Sequence, residues 1–96
     1  MLKITEAAYH ILLSAVEKEK KTEGEVLYVR LTMGIGWGGP QLKLSLEEKP
    51  LQEDQLITID ELNIVIHHQD RVYFENSKLD FQTDVLGKGR FQVLKM

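Results

Sequence analysis

Ninety-six residues, 43% hydrophobic and 28% charged, suffice for one hydrophobic core and not for two, so residues 1–96 read as a single domain. A formal charge of −3, with Lys and Arg scattered along the chain, argues against a nucleic-acid surface, and the absence of cysteine excludes a disulfide framework, a zinc ribbon and a redox thiol. With no apolar leader in Met1–Glu6 and no stretch near the roughly 20 apolar residues that cross a bilayer, a cytosolic protein without a membrane partner is expected.

The first element in chain order is a helix over Thr5 to Lys21. Ala8, Ile11, Leu12, Ala15 and Val16 recur at helical spacing, Thr5 is placed as N-cap with Glu6 beside the positive helix end, and Gly24 is the natural stop. The run Glu17-Lys18-Glu19-Lys20-Lys21 is its solvated last turn.

From Glu25 the period changes to two. Leu27, Val29, Leu31 and Met33 define one strand face, with Val26, Tyr28, Arg30 and Thr32 opposite, and Leu42, Leu44 and Leu46 alternate with Gln41, Lys43 and Ser45 in the next strand. Glu47 to Gln55, which contains Pro50, reads as a polar connection. Short strands are then expected at Leu56–Ile59, Leu62–His68, Arg71–Glu75, Leu79–Gln82 and Arg90–Leu94, separated by Asp60-Glu61, Gln69-Asp70, Asn76-Ser77 and Gly87-Lys88-Gly89.

So many strands on so short a chain predict a mainly β fold, a sandwich or partly closed barrel with the N-terminal helix over one open face. The expected core is Ile11, Leu12, Leu27, Val29, Leu31, Leu42, Leu44, Leu46, Ile64, Ile66, Phe74, Phe81 and Phe91.

Gly34-Ile35-Gly36-Trp37-Gly38-Gly39 formally satisfies G-x-G-x-x-G. A dinucleotide loop must open a helix whose amides hold the pyrophosphate, whereas here Pro40 and an alternating strand follow. The glycines instead serve unusual φ angles and close backbone approach. His67 and His68, adjacent on a strand, point to opposite faces, His68 with Leu62, Ile64 and Ile66 and His67 with Asn63 and Val65, and do not readily share an ion; a strand-end histidine at the edge of the core is the simpler role. Ser14, Ser45 and Ser77 lack a nucleophile-elbow context, and Asp54, Asp60, Glu61, Asp70, Glu75, Asp80 and Asp84 flank turns, where Asp supports local backbone hydrogen bonds. No catalytic residue, cofactor or metal site emerges.

The order of these elements resembles the HesB/IscA family, the A-type carriers of iron–sulfur cluster biogenesis, over nearly the whole chain. The resemblance rests on Ile4-Thr5-Glu6-Ala7-Ala8 leading a helix, the glycine loop after a strand, Gln41 to Leu46, Glu53-Asp54, and Asn76-Ser77-Lys78-Leu79-Asp80-Phe81 before Gly87-Lys88-Gly89-Arg90-Phe91. It implies a HesB-like twisted sandwich or pseudo-barrel of mixed short strands. In that family one ligand cysteine sits in the glycine loop and two lie in a Cys-Gly-Cys tail beyond the last strand. Here Trp37 occupies the loop position and the sequence ends at Met96, where the tail would begin, so all three ligands are missing. Met1, Met33 and Met96 are poor substitutes, read as start residue, strand-face residue and terminus.

The expectation is therefore a cysteine-free HesB-like domain acting as a non-catalytic binding or accessory protein. Gly34, Gly36, Trp37, Gly38 and Gly39 form the candidate interaction loop, facing a protein partner or a second copy. The alternative is a small-ligand binder or enzyme with Trp37 as the apolar wall of the same loop. Trp37 itself stays open between two roles, a loop aromatic folded back on the core and an exposed anchor.

Overall fold

The structure, a computed structural model, describes residues 2–96; Met1, read above as the start residue, lies outside them. The elements in order are β1 (Lys3–Ile4), α1 (Glu6–Glu19), β2 (Tyr28–Gly36), β3 (Gly39–Glu47), β4 (Asp54–Ile59), β5 (Leu62–His67), a 3₁₀ turn at His68–Asp70, a one-turn helix α2 (Arg71–Phe74), β6 (Ser77–Thr83) and β7 (Gly89–Lys95). They form a four-stranded sheet in the order β3-β2-β5-β4 and a three-stranded sheet in the order β1-β6-β7. Both are mixed: β2 runs parallel to β5 and β1 parallel to β6, and the other pairs are antiparallel. This mainly β fold with one main helix is the expected class. No helix among the described residues is long and apolar enough to cross a membrane.

Helix α1 starts as expected. Thr5 is the N-cap, its hydroxyl accepting the Ala8 N–H. The stop differs: Lys20 is the C-cap, its N–H donating to the Val16 carbonyl, so the helix ends before Gly24 has a part. The buried stripe is Ala8, Leu12 and Val16, with Tyr9 and Leu13 packed beside it. Ile11, expected in the core, is 41% exposed, because it lies on the opposite flank of that stripe.

The core lies between the sheets and under α1. Its centre is Val29 and Leu31 on β2, Leu62, Ile64 and Ile66 on β5, Leu79 on β6 and Phe74, with Leu2 and Leu27 closing it. Leu42, Leu44, Leu46 and Phe91 pack against this centre but stay partly exposed, because β3 and β7 are outer strands of their sheets; Phe81, also partly exposed, lies on β6 beyond the reach of two-residue β1, which pairs only with Lys78 and Leu79.

Three expectations fail locally. Arg71–Glu75 is not a strand: it contains α2, with the Glu75 N–H donating to Arg71 O, and only Phe74 is buried while Val72 and Tyr73 are exposed. The β-branched and aromatic run mimics a strand, but one buried side chain in three suits a helical turn. His68 is not on the core face, because β5 ends at His67 and His68 opens the exposed 3₁₀ turn; His67 Nδ1 accepts the Gln69 N–H and closes that turn. The polar connection is shorter than expected, since β3 extends to Glu47 and β4 begins at Asp54.

Candidate functional site

Strands β2 and β3 pair without interruption from Tyr28↔Glu47 to Gly36↔Gly39, leaving Trp37 and Gly38 as the turn. Gly38 and Gly39 have φ of 90° and 113°, the left-handed backbone that a side chain at the second turn position would oppose. Gly36 serves differently. The Gln41 side chain lies across it, so close that an added Cβ would come within 2.7 Å, and Gln41 Nε2 donates to the Trp37 carbonyl at 3.4 Å. The turn is thus held from inside the hairpin, and Gly34, Gly36, Trp37, Gly38 and Gly39 come together in this one element.

The hairpin overruns the core. Along the inner face of β2, Val29 and Leu31 are buried, Met33 is half-buried and Ile35 is 90% exposed. Trp37 at the tip is 99% exposed, which answers the question left open by the sequence. Two large apolar side chains therefore project from a hydrogen-bonded hairpin with no cover of their own.

Sequence reasoning missed a second cluster, on the outer face of the four-stranded sheet. Arg30 Nε donates to Glu47 Oε2 at 2.7 Å, and its two terminal nitrogens engage both Asp54 oxygens, with Nη1 at 2.8 Å from Oδ1. The Asp54 carboxyl is fully buried and also accepts the Leu51 N–H. The Arg30 guanidinium holds the Asp54 carboxyl below its usual range, and Asp54, ahead of Glu47, keeps Arg30 charged. Every member has a partner, so this is a clamp across β2, β3 and β4, not a poised acid or base. The signal for it was a lone arginine inside an otherwise uncharged β2.

The remaining singled-out residues do local work. Asp80 accepts the Thr5 hydroxyl at 2.7 Å and the Phe81 N–H at 2.9 Å; the Thr5 bond leads in lowering its pKa. Asp84 Oδ1 accepts from Leu86 and Lys88 N–H groups and closes the β6–β7 turn, and Asp60 takes a positive φ of 51° in the β4–β5 turn. Ser77 is buried, donating to the Glu75 carbonyl at 3.0 Å. The histidines stand apart: His10 lies 3.6 Å from Glu6 and His67 lies 3.4 Å from Glu53. No group of three His, Asp or Glu suited to a metal ion is found among the described residues.

An iron–sulfur cluster needs thiolates, and the chain has none; the loop offers glycine, isoleucine and tryptophan where the resemblance puts cysteine. The donor set does not fit the cluster. Trp37 is absent from the lining of five clefts found among the described residues.

No family model matches the chain, and no curated protein matches it. Solved structures do. The crystal structure of Escherichia coli SufA, involved in biosynthesis of iron–sulfur clusters, is similar at 22% identity over 98% of this chain and 84% of that chain, with a TM-score of 0.77. The crystal structure of IscA with the [2Fe-2S] cluster is similar at 20% identity over 99% of this chain and 82% of that chain, with a TM-score of 0.69. A solution structure of a protein from Aquifex aeolicus is similar at 20% identity over 99% and 91%, with a TM-score of 0.78. At these identities the likeness is one of fold.

Proposed function

We propose that this chain is a single, non-catalytic, cysteine-free domain on the fold of the iron–sulfur carriers, and that it works in the cytosol by contacting a protein through the Trp37 hairpin. The observation that carries the reading is the near-complete exposure of Trp37 and Ile35 on a pinned hairpin that offers no thiolate. A rigid aromatic tip suits a contact because tryptophan buries a large area at little entropic cost and is enriched at interface centres. The two named carriers share the fold with a chain that lacks the ligand chemistry for their cargo. The small-ligand or enzymatic alternative draws no support from the clefts, which leave Trp37 outside.

Trp37 is the chain's only tryptophan, so its fluorescence reports the tip alone. In dilute solution the emission is expected to be red-shifted and readily quenched by iodide, and to become protected on association. A blue-shifted emission that iodide cannot reach at any concentration would contradict the reading. Co-purification from native cytosol extends the test: a protein retained by the wild type is expected to be lost with Trp37→Ala, and equal retention by both would count against the hairpin.

A further inference from the structure

The four-stranded sheet ends on one side in β4, with the sequence Asp54-Gln55-Leu56-Ile57-Thr58-Ile59. Exposed sheet edges are ordinarily blunted by proline, lysine or a bulge. Edge strand β3 carries Pro40 and Lys43, and β7, the edge of the other sheet, carries Arg90 and Lys95. β4 has none of these, and its pairing with β5 runs unbroken from Asp54↔His67 to Ile59↔Leu62.

The direction of its backbone groups follows from one bond. The His68 N–H donates to the Glu53 carbonyl at 3.2 Å, which makes residues 53, 55, 57 and 59 the positions that bond toward β5. Positions 54, 56 and 58 then face away, and the Asp54 N–H accordingly turns back to Leu51 O at 3.1 Å. Leu56 and Thr58 are left presenting N–H and C=O outward. They present them to a cleft of about 520 Å³ that Gln55 to Thr58 line on one side, with Leu2, Ile66 and Phe74 as its apolar lining and Arg71 engaged by Glu75 at 3.7 Å.

We infer that this edge is a strand-addition site for an extended segment of a partner protein that has apolar residues at alternate positions and basic residues at its ends. The outward groups of Leu56 and Thr58 bond the segment's backbone, the cleft takes its alternate side chains, and charge selects its flanks. Exposed Glu53 stands before β4 and exposed Asp60 and Glu61 stand after it. A second copy pairing β4 with β4 antiparallel would bring these acidic ends together, so charge disfavours self-pairing.

The test is a titration of the isotope-labelled full chain with a synthetic capped peptide of alternating valine and threonine, with two lysines at each end. Saturable binding is expected to slow hydrogen exchange at the Leu56 and Thr58 amides, and the same peptide with glutamates at its ends is expected to bind about tenfold more weakly or worse. Thr58→Pro removes an outward N–H without taking a bond from β5 and is expected to abolish binding. Leu56→Lys, which leaves the backbone intact, is expected to weaken it about tenfold; it decides the matter if Thr58→Pro fails to fold. Trp37→Ala is expected to bind the peptide as wild type does. Equal affinity for both peptides, protection elsewhere than β4, a folded Thr58→Pro or Leu56→Lys chain that binds unchanged, or concentration-dependent protection of Leu56 and Thr58 without peptide would each overturn the inference.

Discussion

Arg30 and Asp54 meet on the solvent side of a sheet, yet both side chains are buried there, which ties their charges to stability. Removing the Asp54 charge leaves the buried Arg30 guanidinium with Glu47 as its remaining ionic partner, so Asp54→Asn is expected to cost about 1–3 kcal/mol in urea unfolding at neutral pH. The pH dependence has a definite sign. Asp54 has a folded pKa below its unfolded value of about 4, so its contribution is complete above that value and is lost as pH falls through the lower folded one. Unfolding midpoints of wild type and Asp54→Asn from neutral pH downward are expected to stay apart until about pH 4 and to converge below it. Parallel curves across the whole range would show that the clamp is not what acid removes.

Among the elements, β2 organises the rest, since it pairs with β3 on one side and β5 on the other. Leu31 sits at its middle, opposite Leu44 and Ile66, and is fully buried. Leu31→Ala is expected to destabilise the fold by about 2–5 kcal/mol in denaturant titration, and a loss well below that would mean that the site collapses around the gap. The alternation of β2 and β3 was readable because each strand keeps one face in the core, and the helix start was readable because Thr5 is a local signal. Three features were not legible, two because they depend on distant partners and one because its local propensity points the other way. β1 has two residues and exists only through its parallel contact with Lys78 and Leu79. α2 hides behind β-prone Val72-Tyr73-Phe74. The buried stripe of α1, and with it the exposure of Ile11, is set by what packs beneath the helix. The sequence marked Gly34 to Gly39 as a loop between two strands, but not that strand pairing would run through it to a two-residue turn; nor was the exposure of Trp37 legible, because it depends on where the core ends. Nor did the sequence disclose that β4 would be left as an open edge.

At the scale of the whole molecule, two mixed sheets and one helix build the scaffold seen in SufA and IscA, while the hairpin carries tryptophan and no residue carries a thiol. On the proposed reading, this scaffold serves protein contacts and not cluster ligation. Anaerobic reconstitution of the purified chain with ferrous iron and sulfide, followed by desalting, absorption spectroscopy and iron analysis, tests this most directly. No thiolate-to-iron charge-transfer band and no stoichiometric iron or sulfide are predicted to remain with the protein. A stable coloured product carrying iron and sulfide in stoichiometric amounts would contradict the account.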